Sequence, residues 1–518
     1  MVKLPKPQTI DELLHTHYAK WRDRPYIWSK NGDEFASKSF WDFIDDARAL
    51  AASLIKDNHK GDNVMLFADN SYEWMVADMA VMAYVGISIG ANKDWLTYDL
   101  LAAQQSAEAK VIIYSSNRSG MLEKLRTDYP DITYLCIEND FDTLLQQGRK
   151  ILDQDASYLD NSIKQSADIC KIVFTSGSTS IPKAVTLSLD NMLACGDYLY
   201  QRTPTNEHDI YYLFLPLHHV YAGVSIFMYS FYMGCQLYIC SDTAKIVDEM
   251  KLIRPTIFCG VPLVYERFYS AIDAPTMAKI ERGMKLANAL GAIGIDIRRH
   301  LFRKLHDVFG GDIRYMYCGG ARFDPKIKRF FKDVGMTVIE GYGMSETTSL
   351  IAVEYPHSKV IDSVGTIFEN ISVKFADVDK DGHGEILVKG GNVSKGYYNN
   401  PVANARAFDA EGYFHTGDIG YKDDKNNLFV IGRKKLLIVA SNGENVSPDE
   451  LETLLVAIPG VTRAKVFDHN NVITATLYVD KGCSTDFKSQ IAKLNSTLPK
   501  YKQVQKWTTA VNNPDRMK

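Results

Sequence analysis

The sequence predicts an α/β protein: a large N-terminal domain of helix-covered, mostly parallel sheets that carries a small β-rich lobe, followed by a small α+β C-terminal domain. Three observations predict it. Short apolar runs alternate with longer helical stretches through the first two-thirds of the chain. Beyond Val364 the pattern changes to short strands and turns, marked by Asp381-Gly382 and Gly390-Gly391. A chain of 518 residues is too long for one compact core. Two domains are expected, 1–433 and 434–518.

The N-terminal stretch Met1 to Lys20 carries charges and prolines without an apolar core, so it does not read as a signal peptide. From Gly61, the strands Val64–Phe67 and Val111–Tyr114 flank a helical stretch around Trp74–Tyr84, which is βαβ patterning. The polar run 153–166 reads as a linker between layers. Alternation resumes with strand Lys171–Phe174, a helix after Ser188, strand Ile210–Leu215, a further helix and strand Thr256–Cys259. Val220–Cys240 has no charge and is long enough to span a bilayer. Gly223, Gly234, Gln236 and repeated tyrosines break it, so it reads as a buried helix followed by strand Gln236–Cys240. After the charged turn Gly432-Arg433-Lys434-Lys435 come a helix over 447–457, strands Lys465–Phe467 and Val472–Val479, and a helix over 485–497.

Composition narrows the function classes. A formal net charge of −4 gives no basis for a nucleic-acid partner and leaves small molecules as the expected ligands. Eight cysteines, none in a C-x-x-C pair, fit reduced core thiols in a cytoplasmic protein rather than a disulfide framework or a zinc site. No amphipathic anchor with a basic face stands out, so membrane contact is expected to be peripheral at most.

The run Ile172-Val173-Phe174-Thr175-Ser176-Gly177-Ser178-Thr179-Ser180-Ile181-Pro182-Lys183 carries the most chemistry. A β-branched strand opens into a loop whose backbone N–H groups can form an anion nest, with hydroxyl donors and a terminal Lys charge. It is not a Walker P-loop, because Lys183 lies between Pro182 and Ala184. Alone, such a segment is more often an ordinary turn. Four further segments change that reading: Gly319-Gly320-Ala321, Gly341-Tyr342-Gly343-Met344-Ser345-Glu346-Thr347-Thr348, His415-Thr416-Gly417-Asp418 and Gly432-Arg433-Lys434-Lys435. Gly319 and Gly320 leave room for a flat base, and Tyr342 offers an aromatic face. Glu346 is a hard oxygen ligand suited to Mg²⁺ shared with phosphates. Asp418 can accept two ribose hydroxyls, and Arg433 can donate to ribose or phosphate.

In this order and spacing the segments resemble the adenylate-forming superfamily of acyl-CoA synthetases, luciferases and peptide-synthetase adenylation domains. The strings at 253–269, 313–325, 413–420 and 443–452 look most like bacterial long-chain fatty acyl-CoA synthetases. The resemblance implies two half-reactions. A carboxylate attacks the α-phosphate of Mg·ATP to give acyl-AMP and pyrophosphate, and a thiol then displaces AMP. It further implies that Thr175, Glu346 and Lys518 are catalytic, with Glu346 as the Mg²⁺ ligand. Nucleotide contacts would come from Thr175, Ser176, Gly177, Ser178, Thr179, Lys183, Gly319, Gly320, Ala321, Gly341, Tyr342, Gly343, Met344, Ser345, Thr347, Asp418 and Arg433. His219 in Pro216-Leu217-His218-His219, with Tyr221, Gly260, Val261 and Tyr265, would wall an acyl channel, where each buried CH₂ contributes about 0.8 kcal/mol. Gly443, Glu444 and Asn445 would meet CoA, and the C-terminal domain would be mobile, rotating between the half-reactions.

Four positions depart from the family pattern. Ser180 and Ala184 stand where Gly is usual, Leu436 stands at the hinge position, and Lys518 lacks the usual Gly before it. Two alternatives therefore accompany a fatty acyl-CoA synthetase using ATP, Mg²⁺ and CoA. One is a ligase that loads an acyl carrier protein from acyl-AMP, and the other is a catalytically weak nucleotide- and acyl-binding homologue.

Overall fold

The computed structural model describes residues 6–32, 34–175, 182–291, 293–434, 438–439, 445–446, 448–468, 472–480, 483–498 and 502–511, without the side chains of 31, 439, 445, 449 and 450. The chain divides into two compact units: residues 1–371 with 390–407, and residues 372–389 with 408–518.

The larger unit contains two sheets among its described residues. One has nine strands, in the order Thr366–Ile367, Ala352–Val353, Val338–Tyr342, Tyr315–Cys318, Ile257–Gly260, Ile210–Leu213, Gln236–Ile239, Pro25–Asn31 and Glu34–Ser39. From Val338–Tyr342 to Pro25–Asn31 every pair is parallel, and only the margins are antiparallel. The other has six strands, in the order Thr133–Cys136, Val111–Tyr114, Asn63–Phe67, Ile87–Gly90, Ile169–Thr175 and Lys183–Ser188, parallel except for the last pair. Parallel strands need crossovers, and the helices that supply them cover the sheets. Phe258, Met316, Val338 and Phe331 form one core, and Met65, Ile112, Ile172 and Leu100 form another.

Two joints show how the sequence fixes this packing. Helix Phe40–Lys56 starts at a Ser39/Asp42 capping box and packs against helix Ile137–Gln154. Their closest approach needs Gly148, where a Cβ would stand 1.7 Å from the Ala49 carbonyl oxygen. Helix Leu189–Arg202 starts at a Ser188/Asn191 capping box, and the Asn191 amide donates to the carbonyls of Gly391 (2.8 Å) and Val393 (3.1 Å). That bond pins the 391–393 segment to the helix start.

The helix expected at 74–84 begins at Tyr72 and finishes as a π-helical turn, Val81–Val85. Val220–Cys240 is buried, as its broken pattern implies. A π-helix Tyr221–Met228 runs into helix Tyr229–Met233, Gly234 ends it at φ +72°, and strand Gln236–Ile239 follows. No helix among the described residues is long and apolar enough to cross a membrane. Strand Ile210–Leu213 stops short of Leu215 because Asn70 captures the next segment, donating to the Leu215 carbonyl (2.9 Å) and accepting from the Leu217 amide (3.0 Å). The 153–166 stretch is not a free linker. Helix Ile137–Gln154 extends into it, Leu159 and Ser162 are buried, and Gln165 bridges to Thr9.

The smaller unit pairs Gly384–Gly390 with Phe414–Lys422 and the latter with Leu428–Arg433, both antiparallel, in a four-stranded sheet completed by Ile371–Ala376. It also holds the strands Val461–Asp468, Ile473–Val479 and Lys506–Val511 with helices Pro448–Val456 and Phe487–Ser496. Ile473–Val479 alternates buried and half-buried positions, as a one-sided strand should. Leu451, Leu455, Ala475, Leu477 and Ile491 form the core there. All eight cysteines are unpaired.

Candidate active site

In the larger unit, the loop-forming motif closes an antiparallel hairpin. Thr175 ends strand Ile169–Thr175 and pairs with Lys183, the first residue of Lys183–Ser188. The hairpin thus places a hydroxyl and an ammonium at the two feet of the loop. Ser176, Gly177, Ser178, Thr179 and Ser180 lie outside the described residues.

A second segment lies along that hairpin. Tyr397 bridges Val185, Thr186 donates its amide to the Gly396 carbonyl at 2.9 Å, and Tyr398 donates its amide to the Ala184 carbonyl at 2.8 Å. This puts the Tyr397 ring under the Lys183 ammonium, 4.8 Å from its centroid. The Tyr397 hydroxyl donates to Glu346 Oε1 at 2.8 Å. Burial, then the Glu346 charge, push the phenol well above its usual range, so it keeps the proton it donates. Glu346 is itself buried, and its main-chain carbonyl accepts from the Ser394 amide at 2.8 Å.

Glu346 sits in a turn of 3₁₀ form, Ser345–Thr347, followed by two non-glycine residues in left-handed backbone, Thr348 (φ +50°) and Ser349 (φ +86°). Such conformations persist only where surroundings impose them. Here Asn392 does so. Its side-chain amide donates to the carbonyls of Thr347 (3.0 Å) and Leu350, and its main-chain carbonyl accepts from the Thr348 hydroxyl at 2.6 Å. Ser225 donates to the Ser349 hydroxyl at 2.9 Å. Gly343 is required because a Cβ there would stand 2.1 Å from the Ser349 carbonyl oxygen.

Gly260, Gly319, Gly341 and Tyr342 cluster at the carboxyl ends of adjacent parallel strands, the usual place for ligands in open α/β sheets. A Cβ on Gly319 would meet the Gly341 carbonyl oxygen at 3.3 Å, so the two backbones nearly touch. Gly320 (φ +85°) and Ala321 are exposed beyond that strand, while Tyr342, Gly343, Met344 and Ser345 are half-buried and Thr347 is buried. Val261 caps helix Pro262–Ser270. Tyr221 and Tyr265 both donate to the Tyr317 carbonyl, at 3.4 and 2.7 Å. Tyr265 is fully enclosed among Phe258, Phe323 and Phe331, so it braces the strand ends from within the core. His219 is exposed, whereas His218 is buried with its ring 4.3 Å from that of His219. Burial, then His219 and Lys93, push the His218 imidazole down to about 3.

In the smaller unit, Asp418 and Arg433 are register partners across two strands, and Arg433 Nε stands 2.9 Å from Asp418 Oδ1. Gly417 (φ +72°) makes the turn into Asp418 and donates its amide to Glu385 at 3.2 Å. Lys434 reaches both Glu385 and Asp377 at 2.8 Å, and those bonds push its ammonium up. Lys518, Gly443 and Glu444 lie outside the described residues, and Asn445 is described only as the backbone partner of Val439.

The Glu346 surroundings fit a magnesium ion. One carboxylate oxygen is fixed by Tyr397, and among the described residues no hydrogen-bond partner holds the other. A hard cation held by one protein carboxylate and substrate phosphates uses such a donor. The motif reading missed Tyr397 and Asn392. Gly396-Tyr397-Tyr398, a glycine before two aromatics, was the available signal for the first; Asn392 followed a Gly-Gly pair and read only as turn.

Residues 14–398 match the AMP-binding enzyme family, and the chain belongs to it. It is 29% identical over 477 residues to the long-chain-fatty-acid–CoA ligase FadD15 of Mycobacterium tuberculosis, covering 86% of this chain and 78% of that protein. It is 27% identical to the long-chain-fatty-acid–CoA ligase ACSBG2 of Xenopus laevis, covering 85% and 65% of the two chains. Among solved structures, ATP-bound MatB from Rhodopseudomonas palustris superposes with a TM-score of 0.79 at 23% identity over 98% of this chain and 96% of that one. The o-succinylbenzoate CoA synthetase MenE of Bacillus subtilis, with its acyl-adenylate, gives 0.77 at 21% identity over 99% and 96%. These likenesses establish the fold of adenylate-forming enzymes and a ligase of this family.

Proposed function

We propose that this ligase is an ATP-dependent fatty acyl-CoA synthetase that activates a medium- to long-chain carboxylate as acyl-AMP and transfers it to CoA. The arrangement of Lys183, Tyr397 and Glu346 at the feet of the hydroxyl-rich loop is the observation that supports it most. The fatty substrate is inferred from the long-chain-fatty-acid–CoA ligases among its relatives.

In this reading Lys183 and the 175–179 loop hold the ATP phosphates, and Gly319–Ala321 with Gly341–Met344 flank the adenine. Asp418 and Arg433 take the ribose side. Glu346, oriented by Tyr397, would hold Mg²⁺, which when bound neutralises phosphate charge. The substrate carboxylate attacks the α-phosphorus and pyrophosphate leaves, with Lys518 bridging carboxylate and phosphate oxygens; positioning and charge supply the rate. The thiol of CoA, met by Gly443, Glu444 and Asn445, then attacks the acyl carbon and AMP leaves. Residues 434–518 rotate between the two steps. His219 and Tyr221, with Gly260 and Val261, border the acyl chain, and the enzyme works in the cytoplasm.

The test is pyrophosphate release from Mg·ATP across C6 to C18 acids, with and without CoA. Turnover that requires CoA is expected. A single stoichiometric burst indifferent to CoA would transfer the acceptor role to a carrier protein, and no release with any acid would overturn the reading.

A further inference from the structure

Helix Ala274–Gly291 and the short helices Arg298–Leu301 and Arg303–Val308 form a helical hairpin on the larger unit. The limbs meet at Gly283, where a Cβ would stand 3.0 Å from the Phe302 ring and 3.3 Å from Leu301. One face of the long helix is spent on the core: Ile280 and Ala287 are buried, and Met277 and Met284 pack against it. Helical spacing puts Arg282, Leu286 and Ala289 on the opposite face, and all three are exposed. At the tip Ile293 is 71% exposed and Ile295 49%, separated by Gly294 in left-handed backbone (φ +84°).

The same hairpin concentrates positive charge. Residues 274–304 contain seven Lys or Arg and two Asp or Glu, a net of +5 in a chain whose total is −4. Some of that charge is paired. Arg298 bonds Asp296 at 2.8 and 2.5 Å, Arg299 lies 4.0 Å from Asp312, Arg303 lies 3.9 Å from Asp307, and Lys279 faces Asp273. Among the described residues no carboxylate lies within 4.0 Å of Arg282, Lys285 or Lys304.

We propose that this hairpin docks on an anionic lipid bilayer, with Leu286, Ile293 and Ile295 entering the acyl boundary and Arg282, Lys285 and Lys304 resting among the headgroups. Exposed apolar tips flanked by unpaired cations match that interface, because the apolar groups gain by leaving water while the cations stay solvated beside opposite charge. A second copy of the chain fits less well: a two-fold interface would set one basic face against another. A nucleic acid would use the cations and leave the isoleucines in water. The proposal stands apart from the assigned reaction, since its readout is binding.

The experiment is vesicle co-sedimentation of the full chain with phosphatidylcholine alone and with 30% phosphatidylglycerol, at 50 and 500 mM salt. Binding to the anionic vesicles is expected, with little to neutral ones and release at high salt. Arg282→Glu with Lys285→Glu, and separately Ile293→Asp with Ile295→Asp, should each weaken binding at least tenfold and leave pyrophosphate release from a water-soluble short acid unchanged. A wild-type chain that stays in the supernatant with anionic vesicles overturns the proposal. So do two variants that sediment as wild type, and so does a dimer that the tip variant dissolves in place of vesicle binding.

Discussion

The Tyr397 hydroxyl donates to one oxygen of Glu346 at 2.8 Å while its ring faces the Lys183 ammonium at 4.8 Å, so two substitutions separate two roles. Tyr397→Phe keeps the ring and frees the carboxylate to turn. A charge-assisted hydrogen bond contributes about 1.5–3 kcal/mol, so KM for Mg·ATP should rise about tenfold or more while KM for the acid stays put. Tyr397→Leu also removes the ring and should cost about a further 0.5–1 kcal/mol of nucleotide binding. Pyrophosphate-release kinetics and equilibrium ATP binding check both, and a Phe variant with wild-type Mg·ATP affinity would show that the hydroxyl does not orient Glu346. Thr175, Lys183 and Glu346 stand out in the sequence because each lies inside a local motif whose residue types match a chemical need, and the structure sets the first two opposite each other at the feet of one loop. Tyr397 does not, because it meets Glu346 from 51 residues away, and the local signal Gly396-Tyr397-Tyr398 does not name that partner.

The turn from Ser345 to Ser349 is held against its own backbone preference, and Asn392 holds it through two carbonyls. Asn392→Ala leaves the buried Leu350 carbonyl without its donor and the Thr347 carbonyl with the Leu350 amide alone. A buried carbonyl left unpaired costs about 1–3 kcal/mol, so thermal unfolding should shift down by several degrees, and Glu346 should lose its fixed position. The kinetic signature is a raised KM for Mg·ATP that Asn392→Asp, lacking the donor, fails to restore. Unfolding alone, without the KM change in the folded fraction, would assign Asn392 to stability only. Regular elements were legible where burial is one-sided or a cap is strong. Strand Ile473–Val479, which alternates buried and half-buried positions, and the helix that Ser188 caps fall where pattern and cap chemistry put them. The π-helical turns Val81–Val85 and Tyr221–Met228 were not, because nearly every residue there is buried and a uniformly apolar run has no period to read. The basic face of the 274–304 hairpin escaped for a related reason: its residues come from a long helix, a turn and two short helices, and only folding joins them.

At the scale of the molecule, alternating strands and helices dictated helix-covered, mostly parallel sheets, and the change in pattern after Val364 announced the smaller β-rich sheet. Long-range packing was illegible, and one consequence is a dependence on pH. His17, on the N-terminal helix Ile10–Trp21, is fully buried 214 residues in sequence from its partner, the Phe231 carbonyl, 2.7 Å from Nε2. Its ring stacks on Phe231 with centroids 4.6 Å apart. Nε2 must donate to that carbonyl, which leaves Nδ1 buried without a partner among the described residues. Burial pushes this imidazole from 6.5 down to about 4. The unfolded chain therefore binds a proton that the folded one refuses between those values. Stability is fully present above about pH 6.5 and falls as pH drops toward 4. Between pH 7.5 and 5 His17 alone should cost about 2 kcal/mol, and buried His218, held to about 3, adds a loss of the same sign. Urea midpoints at the two pH values measure the sum. His17→Gln, which keeps a donor for the Phe231 carbonyl but cannot take up the proton, should be less stable at pH 7.5 and lose less on acidification. A variant whose loss between pH 7.5 and 5 equals that of the wild type would mean that the N-terminal helix opens to water before the imidazole is charged.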